Sequence, residues 1–270
     1  MSRSSIDRTP SRHRPPPWKW GWRTPLELQM LFAAGIAFAV LYLFNLLLPD
    51  TAAFARRILY VTLHEGGHAI AGIIQGVDVQ SVAIRPDGSG EAAIATGDLA
   101  FSAAAGPIVP AWVAAILTAI GFTRASNSAV LLAMGIGLYL IAYMIADDPR
   151  VFWALAGFAA LACVVGFAPA GPQIKSATML VFAGMITLGV LDALPYLSIE
   201  NVDRIVPALA MGEMMAEAST ETNPSDVRII ATALHLDGIV EVRQVLIVLM
   251  LAGALLSILA ITNFILRHRY

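Results

Sequence analysis

The sequence predicts an all-α polytopic membrane protein with about six to seven transmembrane helices and one small membrane-associated β-hairpin. Of its 270 residues, 58% are hydrophobic and only 13% are charged, and the mean hydropathy is +0.73. A soluble domain averages about 45–50% apolar and about 25% charged residues. Several apolar runs also reach the roughly 20 residues that a helix needs to cross the hydrocarbon core. The formal net charge of −2 argues against a nucleic-acid partner.

Residues 1–25 form a polar tail rich in Ser, Pro and Arg, in which Asp7 is the single acid against six basic side chains. Such a segment cannot bury a core, and we expect it to be disordered. Its positive charge predicts a cytoplasmic N-terminus. Residues 26–270 are then predicted to form one membrane domain, and the cell (plasma) membrane is the expected location.

Seven apolar runs predict the spans, and they lie at about 27–48, 52–75, 100–121, 129–146, 151–169, 176–196 and 243–266. Seven spans would put the C-terminus outside, whereas the basic residues at 267–269 favour the inside. The fifth or sixth span is therefore a candidate for a re-entrant segment. The acid-rich stretch 197–242 is predicted to be a solvated loop, with a short helix that starts at Pro224-Ser225-Asp226.

Residues 77–97 predict a β-hairpin directly after the second span. Alternating apolar residues flank a Pro86-Asp87-Gly88 turn, as is typical of two paired strands. Because an open strand edge cannot face lipid, the hairpin must lie in water or against the protein. Two interpretations stay open. The hairpin covers the site described next and offers its spare edge to an extended peptide, or it is a mere connector.

The second span contains an HExxH motif, formed by His64-Glu65-Gly66-Gly67-His68. On a helix, His64 and His68 share a face, so both imidazoles can reach one metal ion. Glu65 points partly aside, which suits a carboxylate that activates water beside the metal. Ionisable residues are costly inside a membrane span and mark functional sites there. The motif therefore predicts a metal site rather than a pair of packed histidines.

The two histidines need a third ligand, because a catalytic zinc ion usually has three protein ligands and one open position for water. The candidates are Asp147, Asp148 and Asp192, each of which lies in or at the end of an apolar run. Glu91 and Asp98 are weaker candidates, since water is available to them near the hairpin. The residue types alone leave the three aspartates as alternatives.

These features resemble the site-2 protease family of intramembrane zinc metalloproteases, in particular its compact branch without a PDZ domain. The resemblance rests on the HEGGHAI helix, the hairpin turn, the Ala105-Gly106-Pro107 span and the aspartate-bearing span that follows. It covers about residues 52–165 and implies a three-span metalloprotease core, in which the third span carries an aspartate ligand.

Ala146-Asp147-Asp148-Pro149-Arg150 occupies the place of that aspartate motif. Alignment of the Arg favours Asp147 over Asp148, although the Gly and the Asn-Pro of the family pattern are missing. Asp192 has a similar neighbourhood, but it lies two spans too late. The resemblance thus implies a Zn²⁺ site built from His64, His68 and one of the two adjacent aspartates.

The activity that the resemblance implies is metal-assisted peptide hydrolysis, with Glu65 as the general base and a membrane protein of a single span as the substrate. With a cytoplasmic N-terminus, His64, the hairpin and Asp147 all come to the cytoplasmic side. One alternative is a catalytically inactive, metal-binding scaffold or regulator of the same fold. Another is a metal transporter, although no repeat-related halves are visible.

Overall fold

The coordinates are a computed structural model that describes residues 26–94, 98–123, 127–194, 226–234 and 239–267. The predicted N-terminal tail and most of the acid-rich stretch 197–242 lie outside these residues. The exceptions in the acid-rich stretch are a short helix and the beginning of the last span.

The described chain is helical apart from one two-stranded antiparallel sheet, which confirms the predicted fold class. The elements are α1 (Leu26–Leu47), α2 (Pro49–Ile74), β1 (Val79–Ile84), β2 (Gly90–Ile94), α3 (Leu99–Thr123), α4 (Asn127–Ile145), α5 (Pro149–Phe167), α6 (Pro172–Ala193), α7 (Asp226–Ala233) and α8 (Ile239–Arg267). Prolines begin α2, α5 and α6. A proline is well tolerated there, because the N–H that it lacks would have no helical partner.

Six of the described helices, namely α1, α3, α4, α5, α6 and α8, are long and apolar enough to cross a membrane. The chain is therefore a multi-pass integral membrane protein. The fifth and sixth predicted spans are uninterrupted helices of 19 and 22 residues, so neither is too short to cross a membrane. With 26 residues α2 is also long enough, but its histidines and charged side chains make it less apolar than the others.

The core lies where α2, α3 and α6 pack against one another. The most enclosed apolar side chains of this core include Ile58 and Leu59 of α2, and Met179 and Phe182 of α6. The paired helices α4 and α5 pack mainly against each other, and α8 packs against α3. This arrangement encloses the middle of α2, the helix that carries HExxH, within the bundle.

The hairpin folds back along α2 instead of projecting from its end. Gly72 of α2 lies beside Val79 and Ile94, where the hairpin begins and ends. Near the turn, Nη1 of the Arg57 guanidinium donates to the carbonyl oxygen of Asp87 at 2.8 Å. The stretch of α2 from 57 to 72 is about 22 Å long at 1.5 Å per residue. The hairpin therefore follows α2 past the HExxH motif.

Candidate metal centre

The two histidines of the motif point to one place in the structure. Their Nε2 atoms are 3.2 Å apart, and the rings meet edge to face with centroids 4.8 Å apart. Both side chains are mostly buried, with 17% of His64 and 12% of His68 exposed. The spacing of four residues on α2 produces this pairing, because such residues lie one above the other on a helix.

A third potential ligand comes from α7, whose first residue is Asp226. Its Oδ2 lies 3.1 Å from Nε2 of His64, and its Oδ1 lies 3.5 Å from Nε2 of His68. Within the described ranges, these three residues form a group that could hold a metal ion. In a tetrahedral zinc site with bonds of about 2.0–2.1 Å, ligand atoms are about 3.3–3.4 Å apart. The donor set and its spacing therefore fit zinc.

The aspartates predicted from the sequence do not join this group. Asp147 is exposed after the end of α4. Asp148 caps α5, where its side chain accepts a hydrogen bond of 2.7 Å from the backbone N–H of Arg150. The Arg150 side chain also binds that carboxylate, and these contacts lower the pKa of Asp148. Asp192 accepts a 3.0 Å hydrogen bond from Nε of Arg56. The carboxylate beside the histidines is thus Asp226, and not Asp147 or Asp148.

Packing of α7 brings Asp226 to the histidines. Val227, Ile230 and Ala231 on one face of α7 are buried against Ala103 of α3 and against α8. The apolar positions follow helical spacing, so one face docks while the first residue reaches the site. The sequence predicts a helix start at this aspartate, but no spacing pattern connects it with the two histidines. The usable signal was the short apolar face that follows it in an otherwise acidic stretch.

Each histidine has a partner for its second ring nitrogen. Nδ1 of His68 lies 2.7 Å from the backbone carbonyl oxygen of Ser102 in α3. A carbonyl only accepts, so Nδ1 carries the proton and Nε2 keeps its lone pair for a metal. Ser102 is held in turn by Gln75, whose Nε2 donates to its hydroxyl at 2.9 Å. Nδ1 of His64 lies 3.2 Å from the Tyr60 hydroxyl.

Glu65 is buried, with 7% of its surface exposed, and its side chain lies beside the first residue of β2. A Cβ atom on Gly90 would come within 2.5 Å of Cγ and Oε1 of Glu65. The hairpin can approach the motif this closely because glycine stands at that position. Of the two interpretations of the hairpin, its position against Glu65 favours a cover over the site.

Gly106 of α3 lies against the rings of both histidines, and its missing side chain leaves room for them. A Cβ atom there would lie 2.5 Å from Cε1 and Nε2 of His68 and 3.0 Å from Cε1 of His64. Contacts this short force the rings to move. The Ala-Gly-Pro stretch of α3 therefore serves the site directly, and not only the packing of α3 on α2.

Replacing Gly106 by Ala is expected to displace the histidines and reduce the zinc bound by the purified protein to well below one ion per chain. Gly66→Ala is the matched control, because a Cβ atom on Gly66 meets nothing within 4 Å. That change should leave the zinc content intact. Metal analysis of both variants after dialysis checks the expectation, and an unchanged zinc content in Gly106→Ala would contradict the close packing described here.

Comparison with known protein families gives one match. The sequence model of the family described as Peptidase M50B-like matches residues 33–262, which include α2, the hairpin and Asp226. The match extends over most of the chain. Neither the curated proteins nor the solved structures give a significant match.

Proposed function

The chain belongs to the Peptidase M50B-like family, and from this membership we propose that it is a zinc-dependent intramembrane endopeptidase. It hydrolyses peptide bonds in or near the transmembrane segments of other membrane proteins. One observation carries the proposal. Two imidazole nitrogens and a carboxylate meet at ligand spacing inside a bundle of apolar helices, next to a buried glutamate.

The zinc ion would be held by Nε2 of His64, Nε2 of His68 and one carboxylate oxygen of Asp226. When bound, a zinc ion in such a site supplies Lewis acidity and lowers the pKa of water in its open position. The protonated Nδ1 of His68, bonded to the Ser102 carbonyl, fixes the tautomer that this set requires. Without a bound metal ion, two histidines and an aspartate inside a membrane protein would be costly to keep. This cost supports the assignment of the three residues as zinc ligands.

Glu65 is proposed to act as the general base. Its carboxylate accepts a proton from the water that attacks the scissile carbonyl carbon. It then gives that proton to the amide nitrogen as the C–N bond breaks. A positioned base of this kind contributes about 10²–10⁴-fold to a rate. The placement of Glu65 against the hairpin supports this role, because the buried site keeps bulk water away from the carboxylate.

The proposed substrate is a membrane protein with a single span, presented to the site from the bilayer. Its helix must unwind locally, since the peptide bonds of an intact helix are sheltered. We also propose that the N-terminus is cytoplasmic, which places the C-terminal end of α2 on the cytoplasmic side, in the cell membrane. These assignments follow from the charge of the N-terminal tail and from the family resemblance.

Chelation is the direct test of the proposed activity. Protein purified in detergent should cleave a single-span peptide substrate, lose that activity in a zinc chelator and regain it when zinc is restored. Mass spectrometry of the fragments should place the cut in or near the span. Cleavage that persists in the chelator-treated, demonstrably zinc-free protein would reject the metal-dependent mechanism.

A further inference from the structure

The two histidines differ in how the protein orients them. His68 is oriented by the main chain of α3, through the carbonyl oxygen of Ser102, and no side-chain substitution can remove that atom. His64 faces a side chain, the hydroxyl of Tyr60, at 3.2 Å. A substitution can therefore change the orientation of His64 without touching either ligand. From this asymmetry we infer that Tyr60 is a positioning residue for the metal ligand His64 and that α6 fixes its place. The inference rests on the proposed zinc centre.

The contact between Tyr60 and His64 follows from their spacing on α2. Four residues separate them, and the two rings lie with centroids 5.5 Å apart at an angle of 43°. A histidine that binds metal through Nε2 carries its proton on Nδ1, so the Tyr60 hydroxyl accepts that proton's hydrogen bond. The hydroxyl thereby suits the metal-binding tautomer of His64 and limits rotation of its ring.

The place of Tyr60 is fixed from the other side by α6. A Cβ atom on Gly189 would lie 2.8 Å from Cβ of Tyr60 and 2.9 Å from the carbonyl oxygen of Arg56. The backbone of α6 therefore touches α2 at the residue that carries the hydroxyl. One turn further, Asp192 accepts a hydrogen bond from Arg56, whose other end reaches Asn45 of α1. These polar contacts hold α1, α2 and α6 together beside Tyr60.

This arrangement gives Asp192 a role different from the ligand role considered from the sequence. Its carboxylate anchors α6 to α2 through Arg56. The close approach of α6 to α2 at Gly189 lies within one helical turn of this ion pair. The α6 helix is thereby connected to the zinc site through two contacts, from Gly189 to Tyr60 and from Tyr60 to His64. A small shift of α6 changes the orientation of His64.

Tyr60→Phe tests the inference, because it removes the hydroxyl and keeps the ring. Zinc affinity, measured by competition with a chelator of known affinity, is expected to fall about 10–100-fold, as for other partners of metal-bound histidines. Tyr143→Phe is the matched control, since Tyr143 is 77% exposed on α4 and should leave the affinity unchanged. Thermal unfolding of the zinc-free proteins should not distinguish the two variants by more than a few degrees, which separates positioning from general stability.

A double-mutant cycle tests the connection to α6. Gly189→Ala alone should weaken zinc binding, because α6 must move away from Tyr60. In the Tyr60→Phe background the same change should lower the zinc affinity by less than about twofold, since the hydroxyl contact is already lost. Gly184→Ala on the same helix faces Leu41 of α1 instead and should have little effect on zinc.

The outcomes separate this inference from the proposed function. A wild-type protein that binds no zinc would overturn the proposed function and the inference with it. A wild-type protein that binds zinc, together with a Tyr60→Phe variant of equal affinity, would overturn only the role of Tyr60. Additive effects of Gly189→Ala and Tyr60→Phe would leave Tyr60 as the positioning residue but overturn the connection to α6.

Discussion

Replacing Glu65 by Gln is expected to reduce peptide hydrolysis by about 10²–10⁴-fold while the protein still binds one zinc ion per chain. The amide keeps the shape of the side chain, so the close contact with Gly90 survives. It cannot accept the proton of the attacking water, however, and it has none to give to the leaving nitrogen. Cleavage of a single-span substrate and zinc content, measured on the same preparation, check both halves of this expectation.

Glu91→Gln is the matched control for Glu65→Gln. Glu91 follows Gly90 in the hairpin, but its side chain is 44% exposed and pairs with Arg85 at 3.0 Å. Its replacement should change the cleavage rate by less than about threefold, because an exposed ion pair contributes little to the stability of the fold. If Glu65→Gln cleaved as fast as the wild type, Glu65 would not be the base. If the wild type itself bound zinc but cleaved no substrate, the inactive scaffold of the same fold would become the better proposal.

The helices were predictable because a membrane imposes a length on them. A span must satisfy its backbone internally over the whole hydrocarbon core, so long apolar runs give the elements almost directly. The span predicted at 27–48 corresponds to the helix Leu26–Leu47, and the span predicted at 151–169 corresponds to the helix Pro149–Phe167. His64 and His68 were equally accessible to sequence reasoning, since their pairing depends only on the local geometry of one helix.

The position of the proposed third ligand, Asp226, depends on contacts that are distant in sequence, and the local pattern indicated other aspartates. Ala146-Asp147-Asp148-Pro149-Arg150 resembles the family's aspartate motif. In the structure, however, Asp147 is exposed after α4, and Asp148 caps α5 and binds Arg150. Asp226 reaches the histidines only because α7 docks on α3 and α8. No spacing rule connects residues so far apart in the chain. The two interpretations of the hairpin stayed open for the same reason, because its position over the site depends on the close approach of Gly90 to Glu65.

Asp226→Ala is expected to lower the zinc affinity by more than about 100-fold and to abolish hydrolysis, because a direct ligand should cost more than the partner of a ligand. Separate Asp147→Ala, Asp148→Ala and Asp192→Ala variants provide the comparison. Asp147 and Asp148 lie at the junction of α4 and α5, away from the histidines, so their replacement should leave about one zinc ion per chain. Asp192→Ala should retain zinc but weaken its binding modestly, since Asp192 acts through Arg56 and α6.

The pattern of zinc loss across these variants decides between the two assignments. Loss in Asp226→Ala alone would make α7 part of the active site, and the family's aspartate would then come from outside its usual span. Loss in Asp147→Ala or Asp148→Ala, with zinc retained in Asp226→Ala, would restore the ligand that the motif resemblance implies.

A variant of the α7 face separates ligation from docking. Ile230→Ala leaves the carboxylate in place but weakens the packing that holds it, because Ile230 is buried against α3 and α8. Its zinc affinity should therefore fall between those of the wild type and Asp226→Ala.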